Sequence, residues 1–241
     1  MKGKLIIISA VITTLVLGMG ATGVVLVVNK SKKCRGGGES VVIPMGTVGI
    51  DVSHHQGDID WQTVSKEKIL FVYIKATEGK TYTDPKFHQN IEGAQKAGLK
   101  VGAYHFFRMT SGAREQFNHF YSQVGKYKLD LIPMIDVEKD DGKPKSQLQD
   151  SLDVFIKLVT QKYGKKPMIY GTQRSYNKYC APKYNNLHLY IGRYGPNAPE
   201  IKGEGSYTIW QYSENGKING IPKAVDLCRF RKGYGVKDIK L

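Results

Sequence analysis

Leu131-Ile132-Pro133-Met134-Ile135-Asp136-Val137-Glu138 is an apolar run that ends in two carboxylates. Ionised carboxylates are costly to bury, so an apolar strand ending this way delivers them to a polar mouth. Two positions apart on a strand, Asp136 and Glu138 share a face, with Cα atoms about 6.6 Å apart. The same design recurs at Gly49-Ile50-Asp51-Val52-Ser53 and at Ala224-Val225-Asp226. Four carboxylates gathered by strand ends suit proton transfer to a glycosidic oxygen, and their clustering raises the pKa of at least one. Lys75 is an odd cation inside an apolar strand, and pairing with these carboxylates is its expected role.

Around these segments, apolar runs of strand length alternate with longer amphipathic stretches. The expected strands are Val48–Val52, Leu70–Ala76, Lys100–Phe107, Leu131–Val137, Pro167–Gly171, Leu187–Gly192, Tyr207–Tyr212 and Ala224–Leu227. Helical patterns cover Asp84–Ala97, Ala113–Val124 and Gln147–Tyr163. Asp84 reads as a cap with Pro85 at the first helical position, and Gly98 and Gly164 read as stops. Alternation through five units calls for parallel strands with helical crossovers, and eight strands call for closure into a barrel with its active residues at strand carboxyl ends. The last three strands are joined by connections rich in Gly, Pro and Asn, so the barrel is expected to be irregular in its final third. The fold class is therefore α/β, an irregular TIM-like barrel, preceded by a transmembrane helix.

That helix is read from residues 5–28, which carry no charged side chain and follow Lys2 and Lys4. A signal-peptide core spans roughly 7–15 residues and a membrane span about 20, so the length favours an uncleaved anchor, with Met19-Gly20-Ala21 as a place where cleavage remains open. Residues 1–30 are thus an anchor or signal segment, 31–46 a basic and Gly-rich tether, and 47–241 the barrel. Lys30, Lys32, Lys33 and Arg35 beyond the apolar stretch oppose an outward orientation by the positive-inside rule.

The formal charge is +15, of which residues 41–241 hold +10. Such a basic surface suits an anionic lipid or an acidic wall polymer, or is simply solvated. No basic stripe interleaved with aromatics marks a nucleic-acid binder. Three cysteines, Cys34, Cys180 and Cys228, are too few for a disulfide scaffold, although one Cys180–Cys228 bridge is open. No metal or organic cofactor is expected. Asp136, Glu138 and Asp140 imitate a calcium loop, but Asp141 stands at its glycine position and Gln147 at its terminal glutamate. Gly79-Lys80-Thr81 lacks the earlier glycine of a phosphate loop, because Ile74 stands there. His54 and His55 lack a third metal ligand at sensible spacing and read as hydrogen-bonding loop residues. Tyr104, Tyr170 and Trp210, near strand ends, are candidate platforms for sugar faces, with Gln211 and Lys75 as further candidate substrate contacts.

Taken together, Gly49-Ile50-Asp51-Val52-Ser53-His54-His55-Gln56-Gly57, Tyr73-Ile74-Lys75-Ala76-Thr77-Glu78-Gly79, Gly102-Ala103-Tyr104-His105-Phe106, Asp136-Val137-Glu138, Ile209-Trp210-Gln211-Tyr212 and Val225-Asp226-Leu227 resemble glycoside hydrolase family 25, the muramidases of the fungal and bacteriophage lysozyme type. The resemblance covers about residues 47–232. It implies a barrel of five β/α units plus three strands, (β/α)5(β)3, and hydrolysis of the β-1,4 bond between N-acetylmuramic acid and N-acetylglucosamine in peptidoglycan. By the same resemblance Glu138 matches the general acid and Asp136 the carboxylate that orients or stabilises the substrate N-acetyl group. Asp51 and Asp226 match the remaining site carboxylates. The family often has Asn two positions after the last aspartate, where this chain has Cys228. Attack by the substrate's own N-acetyl oxygen and direct attack by water both remain open. The expected partners are peptidoglycan strands and, through the anchor, a membrane, with the catalytic domain on the extracytoplasmic side and a monomeric state. The rival reading is a silent glycan-binding barrel that tethers membrane to wall, which would normally show a replaced acid.

Overall fold

The computed structural model describes residues 49–241. The expected anchor (1–30), the tether (31–46) and Cys34 lie outside the described residues. Among the described residues no helix is long and apolar enough to cross a membrane.

Among the described residues nine strands and five α-helices follow in the order β1 (Gly49–Val52), α1 (Trp61–Val64), β2 (Phe71–Glu78), β3 (Tyr82–Thr83), α2 (Phe87–Lys96), β4 (Lys100–Phe106), α3 (Ala113–Val124), β5 (Met134–Asp136), α4 (Lys145–Tyr163), β6 (Met168–Thr172), α5 (Gln173–Tyr179), β7 (Leu189–Gly192), β8 (Ile209–Gly216) and β9 (Val225–Phe230). The sheet runs β1-β9-β8-β7-β6-β5-β4-β2, and a β1–β2 pairing closes it into an eight-stranded barrel, with β3 attached to β2 alone. Five strands are each followed by a helix, and β7, β8 and β9 are not. β1, β2 and β4 through β8 run parallel around the barrel, whereas β9 runs antiparallel to both of its neighbours and β3 runs antiparallel to β2.

Period-2 alternation sorts the side chains into two cores. Phe71, Tyr73, Met134, Met168, Tyr170, Tyr190, Ile209 and Cys228 fill the barrel interior. Val72, Ile74, Ala103, Ile135, Ile169, Ile191 and Leu227 face the helices. Two glycines make the interior fit: a Cβ on Gly49 would stand 2.3 Å from the Phe71 ring, and one on Gly102 2.3 Å from the Tyr73 ring. Tyr73 then donates its hydroxyl proton to the Ile132 carbonyl across the barrel (3.0 Å).

Several expectations change in detail. β5 is only three residues long. The first half of its apolar run pairs instead with the chain's last segment, through Ile132 N–H to the Ile239 carbonyl (2.9 Å), and Pro133 has no N–H to offer a neighbouring strand. α2 begins at Phe87, because Asp84 is buried and its carboxylate bonds His54 (Nδ1, 2.7 Å) as well as the Lys86 amide. The loop role expected for His54 is seen in that pair. The short α1, α5 and β3 carry too few residues for a readable period. Cys180 and Cys228 are free and buried, the first in the helix-facing core and the second inside the barrel, so the barrel wall stands between them. Gly98 and Gly164 take the left-handed conformations expected where α2 and α4 stop (φ 83° and 71°).

Candidate active site

At the carboxyl ends of the parallel strands a cavity of about 180 Å³ is lined by Asp51, Tyr104, Met134, Asp136, Glu138, Tyr170, Tyr194, Gln211 and Asp226. All four sequence-read carboxylates meet there. Asp51, Asp136 and Glu138 arrive from parallel strands. Asp226 arrives differently: it lies at the beginning of β9, and only the reversed direction of that strand brings it to the same mouth, opposite Asp51.

Asp51 is held by three neighbours. The Tyr190 hydroxyl donates to Oδ2 (2.6 Å), and the Gln211 amide donates to both carboxylate oxygens (3.2 and 3.0 Å). Asp226 is the third partner and supplies a further hydrogen bond. Burial raises the Asp51 pKa against these bonds, while Asp226 is pushed up to about 9 by burial and by the charge of Asp51. The two titrate as a unit in which Asp226 keeps the proton and donates it to Asp51. A carboxyl that holds its proton more tightly folded than unfolded stabilises the fold most at low pH, and that contribution fades as pH rises toward 9. Asp226→Asn retains a donor toward Asp51 but does not titrate. It should therefore flatten the decline of Tm between about pH 4 and pH 9. Parallel Tm profiles for the two proteins would assign the decline to other groups.

Gln211 joins the two halves of the site. While its amide serves Asp51, its Oε1 accepts from Tyr170 (2.9 Å) and Tyr194 (3.3 Å). A Cβ on Gly192 would stand 2.9 Å from that Oε1 and 3.1 Å from the Tyr170 hydroxyl, so a bare backbone is what leaves room for this bond. Tyr170 also hydrogen-bonds Glu138.

Burial, and then the charge of Glu138, raise Asp136 well above the usual carboxylate range, with Lys75 acting in the opposite sense. Its Oδ1 is buried and has no hydrogen-bond partner among the described residues. Glu138 is half-buried, and burial raises its pKa too, while Lys139 and Lys75 oppose the shift. Two carboxyls, one ending β5 and one just beyond it, thus hold protons at pH values where an exposed Asp or Glu would not. That is the property required of a general acid. Among the described residues no group of three His, Cys, Asp or Glu is arranged to hold a metal ion.

Not every sequence candidate reaches the cavity. Trp210 is 3% exposed and lies on the outer face of β8, where its Nε1 donates to the Arg193 carbonyl (2.6 Å) and Arg229 covers its ring (4.3 Å). It is packing, not a sugar platform. Lys75 pairs with Glu78 (2.9 Å) and not with the four carboxylates, and it reaches Asp136 and Glu138 only through its field. Glu78 in turn binds Arg108 (2.7 Å), which also grips Asp141 on the loop that follows Glu138. Tyr104 and Tyr170 do line the cavity. Tyr190 and Tyr194 were missed: Tyr190 sits in an expected strand without any polar signal, and Tyr194 sits in the loop just after it.

The sequence profile described as Glycosyl hydrolases family 25 matches residues 50–221. The chain is similar to the "Autolytic lysozyme" of Clostridium acetobutylicum, at 35% identity over 185 residues that are 77% of this chain and 56% of that protein. It thus spans little more than half the length of that relative. Its fold is similar to the bacterial lysozyme of Streptomyces coelicolor (TM-score 0.73, 31% identity, 81% of this chain and 96% of that one). It is also similar to a family 25 glycosyl hydrolase of Bacillus anthracis (TM-score 0.72, 34% identity, 82% and 96%).

Proposed function

The chain belongs to glycosyl hydrolases family 25, and from that premise we propose that it cleaves the β-1,4 bond between N-acetylmuramic acid and N-acetylglucosamine in peptidoglycan. The observation that carries this reading is the convergence of Asp51, Asp136, Glu138 and Asp226 on one cavity with raised carboxyl pKa values. A silent wall-binding barrel would have no use for a half-buried Glu138 whose pKa is raised by burial.

Glu138 is the proton donor to the leaving oxygen. Asp136 presents its unpartnered Oδ1 to the N–H of the substrate's acetamido group. That hydrogen bond favours the ionised form of Asp136, and the charge of ionised Asp136 then helps hold the proton on Glu138, where it is needed. Ionised Asp136 also stabilises positive charge developing at the acetamido carbon when the N-acetyl oxygen attacks the anomeric carbon. Asp51 and Asp226 act as a pre-formed, singly charged pair that orients the sugar, fixed through Gln211 and Tyr190. Tyr104, Tyr170 and Tyr194 offer the ring faces and hydroxyls around the glycan.

Incubating residues 41–241 with purified peptidoglycan should release fragments whose new reducing end is N-acetylmuramic acid. Reducing ends on N-acetylglucosamine, or none, would overturn the reading. The anomer formed first, followed by NMR, separates N-acetyl participation from direct water attack.

The apolar segment 5–28 serves in this reading as a membrane anchor, and the barrel works outside the cytoplasmic membrane because its substrate lies there. Protease added to intact spheroplasts should then digest the barrel. Digestion only after lysis would show that Lys30, Lys32, Lys33 and Arg35 keep it inside.

A further inference from the structure

Charge in this barrel is sorted along its axis. The connections that enter the parallel strands, together with residues 231–241 after β9, form the end opposite the carboxylate cavity, here called the base. Segments 65–70, 96–100, 125–133, 164–167, 180–188, 201–208 and 231–241 carry fourteen Lys and Arg against four Asp and Glu. At the mouth, Asp51 and segments 53–60, 78–86, 107–112, 136–144, 193–200 and 213–226 carry eight against twelve. The basic surplus of the domain is therefore a property of one end and not of the whole surface.

A solvated basic face would satisfy solubility without such sorting, and three further observations point to a partner. Among the described residues only Lys100 and Lys183 of the base cations form ion pairs, so no carboxylate pairs with the others. The base also holds a cavity of about 760 Å³ lined by Lys165, Lys166 and Arg231 against one carboxylate, Asp238, together with the polar Asn186 and Ser206, which is room for a phosphate-bearing headgroup. Finally, Leu70 and Tyr234, two of the few large hydrophobic side chains that stand exposed, project here (54% and 39% exposed). Basic side chains around an exposed aliphatic and an exposed aromatic residue have the makeup of a surface that rests at a lipid–water boundary.

We infer that the base of the barrel docks on an anionic lipid bilayer, with the mouth turned away from it. The choice of a bilayer over a wall polymer rests in part on the anchor proposed above. β1 begins at the base with Gly49, so the preceding chain joins the barrel on that end. The twenty residues 29–48 span at most about 70 Å even when fully extended, which keeps the base within reach of the membrane. Attraction between the base and anionic headgroups acts within about a Debye length, so docking is expected to weaken as salt is raised.

The barrel alone is a suitable probe, because the solved structures from Streptomyces coelicolor and Bacillus anthracis are matched over 96% of their length by this domain. Residues 41–241 should co-sediment with vesicles of phosphatidylcholine plus phosphatidylglycerol and not with phosphatidylcholine alone. The triple variant Lys166→Gln, Arg231→Gln, Lys240→Gln should bind roughly a hundredfold more weakly. A triple variant with the same loss of charge at the mouth, Lys143→Gln, Lys217→Gln, Lys223→Gln, should bind like the parent. Equal losses in the two triples would mean that net charge alone acts. No vesicle binding, or binding to soluble polyphosphate in its place, would equally overturn the inference. Vesicle binding is read without turnover, so a barrel that docks but leaves peptidoglycan uncut would sink the proposed activity and leave the docking surface standing.

Discussion

Glu138→Gln is expected to lower turnover on peptidoglycan by at least about 10²–10⁴, the range that general acid catalysis contributes. Glutamine preserves the shape and the hydrogen bond to Tyr170 but carries no transferable proton. Because Glu138 is half-buried and bears no part of either core, thermal stability should stay close to that of the parent. Glycan binding, measured by pull-down with insoluble peptidoglycan, should persist. Near-parental turnover would move the acid elsewhere, and Asp226, with its high pKa, would be the next candidate.

Asp136→Asn should be nearly as damaging, with an expected loss of about 10²–10³ in kcat. The substitution places an NH2 group or a neutral carbonyl where the buried Oδ1 now waits without a partner, and it removes the charge that would face the developing cation. In the substrate complex it also removes the ionised neighbour whose repulsion holds the proton on Glu138, so residual kcat should decline at lower pH than in the parent. Asp51→Asn and Asp226→Asn should cost less than either, because those groups orient substrate and do not exchange protons with it. A kcat for Asp136→Asn within a few-fold of the parent, with Asp51→Asn inactive, would reverse the assignment of the two pairs.

The carboxylates were legible in the sequence for a simple reason. Asp136 and Glu138 close one apolar run, so both reach the mouth although β5 itself ends at Asp136. The partners of the other site residues depend on parity and direction, which a local pattern does not contain. In the Trp210-Gln211-Tyr212 run, strand alternation admits only Gln211 or its two neighbours to the interior, and the choice falls to Gln211 because Ile209 fills the barrel. Lys75 and Glu78, three apart, would face opposite sides of a regular strand. A register shift between Lys75 and Thr77 brings them together, and nothing in the residues around Ala76 announces it. The direction of β9 was equally hidden, since Val225-Asp226-Leu227 reads the same whether the aspartate ends one strand or begins another. Closure of the barrel, by contrast, followed from the count and spacing of the apolar runs, which are long-range features that survive errors of one or two residues at each boundary.

The reversal of β9 has a bearing on how such barrels are put together into larger proteins. Running against its neighbours, β9 returns the chain to the end at which β1 began, and residues 239–241 are stitched there to Asp130 and Ile132 by backbone hydrogen bonds. Gly49 and Leu241 consequently emerge on the same side, away from the cavity. Extra modules can be grafted before the first strand or after the last without shading the cleft from a bulky, cross-linked substrate. A domain with both of its ports on the rear wall is a cassette, free to be mounted from either terminus.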